Sequence, residues 1–240
     1  MLRHHALTGI APALLLAARL STAGAAPTPP ALPEQIPTEE RARLMRVAEA
    51  ASVSTHVDAE PFVSRAVVFE YLLDHPEFAT HVTQALKLAR YRIWHTPEGL
   101  YLDDGWGATG HFTVVYAARG KRVMYAWGQY KPRVLPSIRG QAVIMLEYAF
   151  QPTAQGLEVV SSTVTGFVKL DSRVLAFASK LASSLAQSKA DTEGRKLMKV
   201  FARVSQAVQD NPGGVYEQLR QRPETPAQEL EEFRQLLNVR

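Results

Sequence analysis

The chain has 240 residues, 46% of them hydrophobic and 21% charged, which suits one globular domain of about 150–200 residues with extensions and excludes a disordered chain. Cysteine is absent, so the fold has no disulfide framework and rests on its core alone. The formal charge of +4 is concentrated between Lys169 and Arg203, where eight Lys/Arg face three acids (Asp171, Asp191 and Glu193).

In chain order, Arg3, His4 and His5 precede an apolar run, Ile10–Ala18, and then Ala23, Gly24 and Ala25. This is the pattern of a cleaved secretory signal over residues 1–25, cut after Ala25, and it predicts a periplasmic or secreted protein. The run is too short to span a bilayer. Residues 26–37 hold five of the fifteen prolines and read as an extended linker. Thr38 starts a short helix through about Ala51, with Leu44, Val47 and Ala51 on one side, serving as a lid or a brace. Residues 26–51 thus form a linker with a short helix.

Ser52–Val57 alternates as a first strand. Two short helices follow, one starting at Pro61 with Val63, Val67, Val68, Tyr71 and Leu72 on its buried side, the other from Pro76 with Phe78, Val82 and Leu86 at four-residue spacing. About six strands come next: 89–95, 100–103, 111–116, 122–130, 141–150 and 157–168. Their connections are too short for crossover helices, so the sheet is antiparallel. After Asp171 the period becomes helical and an apolar stripe runs to Val208, a helix of roughly 35 residues that could break at Gly194. Asp210–Gly214 stops it, and two short polar helices, around 215–220 and 227–237, form a C-terminal extension over 209–240.

The order of strand, two short helices, antiparallel strands and long helix resembles the START-like (Bet v 1-like, helix-grip, SRPBCC) superfamily in an exported bacterial form. The resemblance covers Ser52–Val208 and is carried by Val53–Phe78 (VSTHVDAEPFVSRAVVFEYLLDHPEF) and Thr165–Leu181 (TGFVKLDSRVLAFASKL). It implies an α+β fold in which a curved antiparallel sheet of about 6–7 strands wraps a long C-terminal helix. It also implies a cavity for a lipid or other apolar small molecule. No catalytic residue can be carried over from it. Alternation and helical spacing nominate Phe112, Val114, Tyr116, Tyr125, Trp127, Leu146, Tyr148, Val164, Phe167, Leu175, Leu181 and Leu185 as lining. Trp106, Arg133 and Arg139 are nominated for the mouth, where arginine meets a headgroup and aromatics its apolar part.

The competing motifs are weaker. Gly105–Gly110 spells G-x-G-x-x-G, but a strand follows where a dinucleotide loop needs a helix, so the stretch reads as a glycine-rich bend. His56, Asp58 and Glu60 alternate toward one side without metal-ligand spacing, and no metal or cofactor is expected. No nucleophile elbow is present. The expected function is a binding or carrier protein for an apolar ligand, not a dedicated enzyme, with an anionic membrane surface as a partner for the basic helix 169–203 and no nucleic-acid partner. A cyclase- or dehydratase-like enzyme on the same cavity, and an envelope interaction protein with a filled core, are the alternatives. A cone-shaped α+β sheet would preserve the carrier function with another topology.

Overall fold

The computed structural model describes residues 30–131, 137–154 and 156–239, and in the long helix the side chains of 172–187 and 189–190 are outside the description. Eight strands form one antiparallel sheet: β1 (Val53–Asp58), β2 (Phe62–Ser64), β3 (Arg92–Thr96), β4 (Gly99–Asp103), β5 (Ala108–Ala118), β6 (Lys121–Tyr130), β7 (Ile138–Pro152) and β8 (Glu158–Leu170). Among the described residues six helices accompany them: α1 (Thr38–Glu49), α2 (Ala66–Asp74), α3 (Pro76–Ala85), α4 (Ser172–Asp210), α5 (Pro212–Arg220) and α6 (Ala227–Leu237). The strand order β1-β8-β7-β6-β5-β4-β3, with α4 against β1, β2, β8 and β7, is a helix-grip fold.

One element differs in kind from expectation. Phe62–Ser64 is a strand, and the first helix of the pair begins at Ala66 instead of near Pro61. The reason lies in β8, whose thirteen residues outrun β1. β1 pairs with Thr163–Val168, which leaves Glu158–Val160 as an open edge that β2 fills. The buried face of α2 rotates accordingly, to Ala66, Val68, Phe69 and Leu72, while Val63 and Val67 are exposed. The long helix is unbroken through Gly194, which packs beside Val57 and Val164.

The sheet separates two environments. On its convex face α1 lies over β7 and β8, and Ile36, Leu44, Val47 and Ala48 pack against Val123, Tyr125, Val143, Met145 and Phe167. On the concave face Phe69 meets Tyr148, Phe150 and Phe201 at ring separations of 5.1, 5.9 and 5.3 Å, beside Val160, Val164 and Met198. The C-terminal helices share a core with the helix pair: Leu219, Phe233 and Leu237 are buried against Val68, Phe78 and Val82. Asn211 caps α5, its side chain accepting from the Gly214 amide at 2.8 Å.

Candidate functional site

Beyond the Phe69 cluster the concave side is hollow. A cavity of about 530 Å³ lies between β3–β8, the helix pair and the 193–204 stretch of α4. Strand pairing explains which side chains reach it. In β6, Val123 and Tyr125 point to α1, so Arg122, Met124 and Ala126 point inward. Pairing carries that parity outward to Phe112 and Val114 of β5, Leu102 of β4 and Ile93 of β3, and to Ala142, Ile144 and Leu146 of β7. Val164, Val168 and Leu170 supply β8, and Leu197, Val200, Phe201 and Val204 supply the helix.

The space exists because one register row has no side chains. Gly110 pairs with Gly128, and Gly128 with Gly140, across three neighbouring strands. A Cβ on Gly110 would stand 2.5 Å from the Trp127 carbonyl oxygen, one on Gly128 2.3 Å from that of Thr109, and one on Gly140 2.6 Å from that of Lys169. The strands therefore curl across this row more tightly than any residue with a side chain permits. Gly107, at φ +103°, adds a second close approach to the Lys131 carbonyl oxygen and ties the β4–β5 loop to the end of β6. The glycine-rich stretch thus serves as a bend.

Of the nominated lining residues, Phe112, Val114, Trp127, Leu146 and Val164 border the cavity, as does Arg139 from the nominated mouth. Tyr148 is on the concave face but in the packed Phe69 cluster. Tyr116, Tyr125 and Phe167 are turned to the convex face, where they pack with the α1 cluster. Two causes account for this. A β-bulge between Val114 and Tyr116 resets the alternation that would have kept Tyr116 on the side of Phe112 and Val114. Val164 and Phe167 are an odd number of residues apart, so one regular strand cannot turn both inward. Trp127 belongs to the convex parity as well and borders the cavity at the thin glycine row. Trp106 is 59% exposed on the β4–β5 loop, under the Arg90 guanidinium at 5.2 Å. Leu175, Leu181, Leu185 and Arg133 lie outside the described residues or side chains.

Several polar groups at the wall were missed in the sequence. Arg122, 5% exposed, donates to Glu70 at 2.7 Å, to Asp74 at 2.9 Å and to the Tyr148 hydroxyl at 2.8 Å, and Tyr148 in turn donates to Glu70 at 2.9 Å. Burial, followed by the Glu70 hydrogen bond, pushes the Tyr148 hydroxyl up to about 12. This group joins α2 to β6 at one end of the hollow. Tyr91 donates to Glu193 at 3.0 Å, and burial raises its pKa well above the usual phenol value. Thr55 donates to Asp191, so β1 and the segment before β3 both hold the middle of α4. Buried Asp104 accepts from the Trp106 and Ala108 amides at 2.7 and 2.9 Å. Nothing in the alternation pattern marks these contacts: apart from the local Asp104 turn, each joins segments far apart in sequence.

Among the described residues no group of three His, Asp or Glu could hold a metal ion, and His56 and Asp58 instead bond to Thr165 and Thr163 across the β1–β8 pair. No helix among them is long and apolar enough to cross a membrane.

The architecture is thus a helix-grip fold with a hollow concave side, compatible with ligand binding. No family model matches the chain, and no curated protein matches it. Among solved structures it is similar to a hypothetical protein from Helicobacter pylori, at 11% identity and a TM-score of 0.35 over 64% of this chain and 84% of that one. It is also similar to truncated norcoclaurine synthase from Thalictrum flavum, at 12% identity and a TM-score of 0.30 over 57% of this chain and 91% of that one. The fold assignment rests on strand order and helix placement, not on these likenesses.

Proposed function

We propose that this chain is an exported, START-like carrier that holds a lipid or other apolar small molecule between its sheet and α4. The observation that carries the reading is the hollow: about 530 Å³ walled by aliphatic and aromatic side chains, within the range of small-molecule sites. Burying about ten methylenes there would gain roughly 8 kcal/mol before the costs of association. The ionisable wall groups favour a carrier over an enzyme. Arg122 is held by two carboxylates and Tyr91 by Glu193, and a phenol with a raised pKa is a poor proton shuttle near neutrality. Arg195, Lys196, Lys199 and Arg203 are exposed along α4, which suits docking on an anionic membrane surface where a ligand is collected or delivered.

A fluorescent fatty acid tests the cavity. Ala126 sits in the wall between Phe112 and Ala142. Ala126→Phe fills the space in front of it and is expected to weaken probe binding more than tenfold while the protein stays folded. Unchanged binding would place the probe elsewhere and remove the support for this reading.

A further inference from the structure

The convex face carries a second concavity of about 410 Å³, which backs onto the hollow across the glycine row and shares nine of its eleven lining residues with it, Tyr101 and Asp171 being its own. Its floor is two register rows. In the first, Tyr101 stands opposite His111 and His111 opposite Trp127, with ring centroids 4.7 and 5.2 Å apart, and Trp127 is followed by Gln141. His111 and Trp127 are near-parallel, at 20°, so two rings share one platform, with the buried Tyr125 stacked behind Trp127 under Arg43. In the second row Thr109 stands opposite Gln129 and Gln129 opposite Arg139.

The polar members of this groove are unspent. Among the described residues the side chains of Arg139, Gln141 and Asp171 make no hydrogen bond or ion pair, and Gln129 is engaged there through its Oε1, which accepts from Ser137 at 3.1 Å and leaves its amide N–H groups available. A ligand that fits must therefore offer an apolar ring face to the platform, several hydroxyls to the amides and Asp171, and an anionic oxygen to Arg139. A hydrocarbon chain would strip water from these groups without replacing it. A polyphosphate chain would meet Asp171 and, where it holds His111 at 3.1 Å, Glu98. The geometry points to an oligosaccharide containing an acidic sugar, bound to the convex-facing side chains of this shared wall.

Titration of the full chain with tetragalacturonate, followed by tryptophan fluorescence and calorimetry, tests this. Saturable binding is expected, with neutral maltotetraose roughly tenfold weaker because it lacks the carboxylate. Arg139→Gln is expected to cost tetragalacturonate about tenfold while leaving maltotetraose nearly unchanged, a split that loss of folding would not produce. Ala126→Phe, which fills the cavity on the other face, leaves both titrations intact, so the two sites fail separately. Absence of saturable binding up to roughly 10 mM of either sugar, or binding indifferent to Arg139→Gln, overturns the proposal.

Discussion

The two halves of the concave face are built on the same sheet and lie under the same helix, yet one is solid and the other hollow. Near β2, β8 and α2 the space is filled by Phe69 and its ring partners Phe62, Tyr148, Phe150 and Phe201. Toward β3–β6 the inward positions hold Met124, Ala126, Gly128 and Gly110 alongside Phe112, with no cluster of rings to fill the space. The difference teaches that the hollow is encoded by residue size at inward register positions and by one row of glycines, not by a different topology.

The contrast sharpens into expected outcomes. Phe69→Ala, in the solid half, is expected to cost about 3–5 kcal/mol in urea unfolding, because four rings lose a partner that is fully buried. Val114→Ala, in the hollow half, is 41% exposed and should cost under about 1 kcal/mol. Equal costs would mean that the hollow is packed in solution. At the boundary between the halves, Arg122→Leu leaves Glu70 and Tyr148 facing an apolar side chain and is expected to cost about 3 kcal/mol, the lower end for a broken buried pair because Asp74 is half exposed. Gly128→Ala places a methyl against the Thr109 carbonyl and should destabilise by about 1–3 kcal/mol, since backbone on a paired strand cannot give way.

The smallest effect lies outside the sheet. His81 on α3 faces Glu224 and Arg222 from the α5–α6 connection, Glu229 from α6 and Glu77 from its own helix, and burial holds its pKa below the ordinary 6.5. The unfolded chain protonates this imidazole near 6.5 while the folded one resists, so its contribution is fully present above that pH and declines as pH falls below it. Urea midpoints compared near pH 7.5 and 5.5 should differ less in His81→Gln than in the native chain.

Much of the fold was legible because it depends on local pattern. The helix at Thr38, the Pro76 helix start, the antiparallel run and the two C-terminal helices all follow from periodicity and turn residues within a few positions. The short strand at Phe62 was not legible, because its pairing depends on how far β8 extends beyond β1, nearly a hundred residues later. The lining was half legible for a similar reason. Phe112, Val114, Leu146 and Val164 obey the alternation that names them, whereas one bulge reverses Tyr116, and parity within a strand does not say which face is concave, which is how Tyr125 and Phe167 fall beneath α1. The glycine row was present as letters, but only the pairing of Gly110, Gly128 and Gly140 makes it a bend.

The carrier reading stands on the hollow holding a molecule, and native mass spectrometry of the protein purified from its native cells without detergent tests that most directly. The account predicts a one-to-one adduct that solvent extraction releases as a lipid or similar apolar compound. A clean unliganded mass that persists after incubation with membrane lipids would contradict it.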